Sequence, residues 1–153
     1  MTNFLEQAYF SFSPHFPILA SMKKQGLSPT YKKLVDASAK AKEYSYSPYS
    51  HFRVGAALLT STGEIFMGCN VENSSYGLTN CAERTALFKA VSEGKRKFKA
   101  IAISTDADEF IPPCGACRQV IMELAGDIDI IMTNENGNVQ TMKTSELLPM
   151  AFK

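Results

Sequence analysis

Tyr31, Leu34, Val35, Ser38 and Ala39 recur at helical spacing, with lysines and an aspartate between them. Ser28-Pro29, just ahead, offers an N-cap followed by proline at the first helical position, so the pattern predicts a helix over about 29–43. Ser45 to Ser50 forms a loop around Pro48. Phe52 to Thr60 then reads as a strand, Ser61-Thr62-Gly63-Glu64 as a turn and Ile65 to Val71 as the hairpin partner. Small residues at 55–57 imply an element packed close to that strand. Residues 72–80 are polar and turn-rich, after which Cys81 opens a helix whose apolar face is Ala86, Leu87, Ala90 and Val91 and which Gly94 stops. Phe98 to Ser104 is nearly continuously apolar, the pattern of a strand covered on both faces. A loop ending in two prolines leads to Cys114, which starts a helix with Val120, Ile121 and Leu124 expected inside and Gly126 at its close. Ile128 to Thr133 reads as another buried strand, Asn134 to Gly137 as a turn, Val139 to Met142 as a short strand and Thr144 to Leu148 as a brief capped helix.

One hairpin followed by helix-strand-helix-strand predicts an α/β fold of three layers, α/β/α, around a mixed sheet of about five strands. No repeat interrupts it, and residues 29–153 form one expected domain behind an extension at 1–28. In that extension Phe4, Tyr9, Phe10, Phe12, Phe16, Ile18 and Leu19 are apolar, but Pro14, His15 and Pro17 break any helix or membrane-spanning run. No basic stretch precedes them, so a signal peptide is not expected. The extension is expected to pack its aromatics on the domain or on a neighbouring subunit; the sharper alternative is that Met22 is an additional or true start.

Composition narrows the class. The chain has 153 residues, 45% apolar and 20% charged, as in an ordinary globular domain with a real core. A net charge of +1 gives no global electrostatic reason for a nucleic-acid partner. Four cysteines allow two disulfides, yet Cys114-x-x-Cys117 set against a distant Cys81-x-Glu83 favours reduced, metal-binding thiols and a cytoplasmic location.

Those thiols carry the candidate chemistry. Three protein ligands on zinc leave the fourth tetrahedral position to water, whereas a structural zinc is closed by four. Cys81, Cys114 and Cys117 count to three, and Glu83, on the first turn after Cys81, is placed to carry protons without binding the metal. Three thiolates weaken a metal's ability to acidify water, so positive groups must offset them. Both ligand groups sit at helix N-termini, which favour thiolate. Arg84, and in the same way Arg118, could hydrogen-bond the sulfurs, although a helical arginine is more often a solvated surface residue.

Cys81-Ala82-Glu83-Arg84 together with Pro113-Cys114-x-x-Cys117 resembles the three-cysteine, homotetrameric cytidine deaminases. The resemblance runs from about Thr30 to Phe152. It includes Pro48-Tyr49-Ser50-His51-Phe52-Arg53-Val54-Gly55-Ala56-Ala57 and Gly68-Cys69-Asn70-Val71-Glu72-Asn73, which match that family's substrate-binding segments. It implies one zinc per chain on the three cysteines and Glu83 as the proton carrier. It implies Phe52 against the pyrimidine, Asn70 and Glu72 on the ribose hydroxyls, and the Ala82 backbone orienting the base. The implied reaction is hydrolysis of cytidine and deoxycytidine to uridine and deoxyuridine with release of ammonia, a step of pyrimidine salvage. Phe152 resembles a C-terminal phenylalanine that reaches a neighbouring subunit's site in a homotetramer; simple docking of the C-terminus is the other reading. No membrane or nucleic-acid partner is expected.

Two other classes of protein compete with this reading. A structural zinc module would need Cys69 or a histidine as fourth ligand and would leave Glu83 without a task. Cys69, inside a hairpin strand, is instead expected to be a small buried residue, and His15 and His51 are poorly placed as ligands. A thioredoxin-like protein leaves Cys81 unexplained. Within the enzyme class, a related aminopyrimidine or nucleoside antibiotic is the runner-up substrate.

Overall fold

A computed structural model describes residues 26–152, so the expectations for the N-terminal extension and Met22 lie outside the described residues. The first helix, α1, runs Pro29–Lys42, and the Ser28 hydroxyl caps it by accepting from the Tyr31 amide. Strand β1 spans Val54–Thr60 and β2 Ile65–Cys69. Helix α2 spans Ala82–Ser92, β3 Phe98–Thr105 and α3 Gly115–Ala125. Strands β4, Asp129–Thr133, and β5, Val139–Lys143, lead to the short α4, Thr144–Leu147.

The sheet order is β2-β1-β3-β4-β5, with β3 and β4 parallel and the other neighbours antiparallel. Alternating side chains send Ala56, Leu58, Ile101, Ile103, Ile130 and Met132 to the face covered by α2 and α3. Ala57, Leu59, Ala100, Ala102 and Ile131 face α1 through Leu34. The three-layer arrangement and the doubly covered β3 therefore agree with the sequence pattern. So does the meaning of the small residues. A Cβ on Gly55 would stand 2.1 Å from the Ser38 carbonyl oxygen, so α1 lies on β1 at backbone contact.

Several boundaries move. Strand β1 begins at Val54 rather than Phe52, because the chain turns through His51 at a φ of 56°. The partner strand ends at Cys69, and Val71 makes only isolated bridges to Tyr46 and Asn80. The turn-rich stretch contains a 3-10 turn at Tyr76–Leu78. On α3 only Ile121 of the three expected core residues is fully buried; Val120 and Leu124 are half-buried beside an apolar groove.

The topology explains why two distant cysteine groups meet. Strands β2 and β3 both run antiparallel to β1, so their C-terminal ends lie at one edge of the sheet. Helices α2 and α3 start from that edge, and β1 enters from it, bringing Phe52 to the same place.

Candidate active site

Cys81 and Cys114 occupy the N-cap positions of α2 and α3, both in extended backbone, and Cys117 lies on the first turn of α3. Their sulfur atoms all fall within 4.8 Å of one another. Cys117 is buried, Cys81 half-buried and Cys114 exposed, so the cluster has an inner and an outer side. Cys69 is not part of it. Contrary to expectation it is half-buried rather than buried, and its thiol donates to the Tyr44 carbonyl at 3.2 Å.

The donor set suits zinc, since soft sulfur ligands at tetrahedral reach leave one position open. The charge around it suits zinc as well. Arg84 Nη2 donates to Cys81 Sγ at 3.4 Å and to the Thr79 carbonyl at 3.2 Å. Arg84 Nε is buried with no acceptor, which leaves donor capacity for more negative charge on the sulfurs. A hydrogen bond from Cys117, and then Arg84, pulls the Cys81 thiol down to about 5, against the effect of burial. Sharing that bond, together with burial, pushes the Cys117 thiol up, so the two thiols titrate as a coupled pair.

Arg118 does not join Arg84. Its Nε donates to the Pro113 carbonyl at 2.7 Å and its Nη1 to the Leu147 carbonyl at 2.9 Å, tying the loop before Cys114 to α4. A planar fork with two carbonyls in reach is held there rather than over the sulfurs.

Glu83 is 5% exposed on the first turn of α2. Burial pushes its carboxyl up; its own backbone N–H draws it back, the charge of Cys81 raises it again, and Cys117 and Arg84 oppose that rise. A buried carboxyl raised above its ordinary value beside the thiol cluster is a candidate for proton transfer. Ala82, fully buried ahead of it, is the first helical residue, whose backbone N–H has no intrahelical partner.

Across the edge, Phe52 is half-buried, with its amide donating to the Ser50 hydroxyl at 3.0 Å. Glu72 accepts from the amides of Tyr49 at 2.9 Å and Ser50 at 3.2 Å, and from the Ser50 hydroxyl. The Ser50 bond above all holds the Glu72 carboxyl below its ordinary value. Glu72, Tyr49, Ser50, Tyr76 and Thr79 line a cavity of about 330 Å³. Tyr49 and Tyr76 meet edge-on there, at 6.4 Å between ring centroids. Sequence reasoning did not single out Ser50 or Tyr76; an aromatic stranded in a polar stretch was the available signal for Tyr76. Phe152 stands apart from this cavity, 76% exposed at the end of the chain.

Residues 28–133 match the family model described as the cytidine and deoxycytidylate deaminase zinc-binding region. The chain belongs to the cytidine and deoxycytidylate deaminase family. Within this family it is 53% identical over 122 residues to a cytidine deaminase of Sporosarcina psychrophila, covering 79% of this chain and 90% of the other. It is 54% identical over 120 residues to a cytidine deaminase of Halalkalibacterium halodurans, covering 78% and 91%. Among solved structures, a cytidine deaminase from Burkholderia pseudomallei superposes with a TM-score of 0.78 at 50% identity, over 80% of this chain and 98% of that one. The matched deaminase region contains all three clustered thiols, Glu83 and Arg84.

Proposed function

We propose that the chain is a zinc-dependent hydrolase that converts cytidine and deoxycytidine to uridine and deoxyuridine, releasing ammonia. The observation that carries this reading is the meeting of three thiols from two helix starts beside the buried Glu83, in a member of the deaminase family. Cys81, Cys114 and Cys117 would hold one zinc. When bound, the metal supplies a Lewis acid that lowers the pKa of water at the site.

The chain's own groups do the rest. Glu83 takes a proton from the attacking water and delivers it to ring N3 as the water oxygen adds to C4. Glu83 then takes the proton of the new C4 hydroxyl and passes it to the amino group, whose bond to C4 breaks as the C4 carbonyl forms and ammonia leaves. Arg84 moderates the negative charge of Cys81, the Ala82 backbone orients the base, and Phe52 forms the wall against the pyrimidine. The ribose is assigned to the strand end carrying Asn70 and Glu72, where a carboxylate accepts from hydroxyls and an amide both donates and accepts.

A homotetramer with sites at subunit interfaces is part of the proposal. Phe88, Gln119, Val120, Glu123, Leu124 and Phe152 line an apolar groove of about 550 Å³ on the outer side of α2 and α3. An exposed Phe152 beside such a groove supports burial against a neighbouring copy. A cytoplasmic role in pyrimidine salvage fits the reduced thiols, and among the described residues no helix is long and apolar enough to cross a membrane.

The decisive experiment follows the loss of cytidine ultraviolet absorbance, with metal analysis of the same sample. Turnover with about one zinc per chain, the three-ligand stoichiometry, is the expected result. Bound zinc without turnover of either nucleoside would overturn the assignment.

A further inference from the structure

The three clustered thiols are held in place by different means. Cys117 is buried within α3, and the chain ahead of Cys81 is pinned where Val71 and Asn80 exchange backbone hydrogen bonds at 2.9 and 3.0 Å. Cys114 is exposed and follows Pro112 and Pro113, neither of which has an N–H to donate. Among the described residues, the backbone of residues 109–114 makes two hydrogen bonds, and Arg118 is the donor in both. Its amide bonds the Cys114 carbonyl at 2.9 Å and its Nε the Pro113 carbonyl at 2.7 Å, so one residue holds the peptide groups on both sides of Cys114. Its Nη1 reaches on to the Leu147 carbonyl at 2.9 Å, at the end of α4.

We propose that Arg118 is a positioning residue for Cys114 as a metal ligand, and that through the Leu147 carbonyl it makes retention of zinc depend on the seating of α4. This rests on the zinc-site reading above. The physical reason is the fork. A planar guanidinium fixes two carbonyls in one geometry, whereas an ammonium of equal charge is a point donor. Pro113 is fully buried, so without the fork its carbonyl loses its partner away from water. The peptide between Pro113 and Cys114 can then rotate, carrying the Cys114 sulfur away from Cys81 and Cys117.

The test uses the full zinc-loaded chain and reads metal and thiols rather than turnover. Arg118→Lys keeps the charge and loses the fork. Glu146→Ala removes the carboxylate that accepts from the Lys143 amide at 2.6 Å, loosening α4 without touching α3. In Arg118→Lys, release of zinc to a chelator is expected to quicken by roughly 10–100-fold, the range for groups that orient metal ligands. Alkylation of the zinc-loaded variant with iodoacetamide, mapped by peptide mass, is expected to modify Cys114 faster than in wild type and ahead of Cys81 and Cys117. Glu146→Ala should quicken release in the wild-type background and add little in Arg118→Lys, because both act through one contact. Wild-type release in Arg118→Lys overturns the proposal, and so does modification of all three thiols at one rate, which general destabilisation would produce. An effect of Glu146→Ala that persists in full in Arg118→Lys overturns the link to α4. A wild-type chain that holds zinc and deaminates neither nucleoside defeats the deaminase reading instead, and release rates and labelling order then still decide the role of Arg118.

Discussion

Gly68 lies directly under Ala86: a Cβ on Gly68 would stand 2.4 Å from the Ala86 amide nitrogen and 2.7 Å from the Ala82 carbonyl oxygen. The first turns of α2 therefore rest on β2 at backbone contact, and that contact sets where Cys81 and Glu83 stand. Gly68→Ala forces backbone apart rather than a flexible side chain. The expected cost is about 1–3 kcal/mol, the range for overpacking, together with weaker zinc binding. Urea unfolding and competition with a zinc chelator read both; wild-type values would contradict the close seating.

Glu83→Gln keeps shape and burial and removes the proton acceptor. Zinc content is expected to stay at the wild-type level while kcat falls by roughly 10²–10⁴, the range attributed to positioned acid–base groups. A variant turning over at near-normal rate would remove Glu83 from the proton-carrying role.

Tyr31 links α1 to the far strands through pH-sensitive bonds. Its hydroxyl donates to Asp129 Oδ2 at 2.6 Å, and Lys143 pairs with Asp129 Oδ1 at 2.6 Å. Burial first, then the Asp129 bond, raises the Tyr31 hydroxyl from 10.0 to about 12. Because the folded value lies above the unfolded one, this contribution is complete below about pH 10 and lost as pH rises through about 12. Tyr31→Phe is expected to lower stability at neutral pH by about 1 kcal/mol or less, given partial solvent screening, and to flatten the alkaline loss between those values. Denaturant midpoints measured across that range check it; parallel curves for the two proteins would count against the link.

Phe88 is 45% exposed on α2 beside Phe152 at 76%. If the groove is covered by a second copy, Phe88→Lys buries an unpaired charge and should shift sedimentation toward smaller species. Phe152→Ala should reduce activity while leaving the chain's melting temperature close to wild type. A fully active monomer would end the shared-site model.

The helices and strands were legible because apolar spacing is local information, and so was the chemistry of the Cys-x-x-Cys turn, whose two sulfurs share one helix start. The ends of β1 and β2 were less legible. Phe52 and Val71 carry strand-like side chains, but the turn at His51 and the bridges to Tyr46 and Asn80 override that propensity. Val120 and Leu124 followed the helical stripe correctly, yet spacing does not say which part of a stripe meets the core and which part meets a groove.

Cys81, Glu83, Cys114 and Cys117 were named by residue type and spacing, and the sequence alone determined that the chain could assemble such a set. Tertiary structure decided that they meet, because β2 and β3 share a direction relative to β1 and so deliver α2 and α3 to one edge of the sheet. It also separated the two arginines, sending Arg84 to a sulfur and Arg118 to two carbonyls, and it turned the Asn70 amide toward Phe52 and Val54. A side chain's type travels with its position in the chain, but its partner depends on strand direction, register and backbone contacts such as Gly68 against Ala86, which only the folded arrangement fixes.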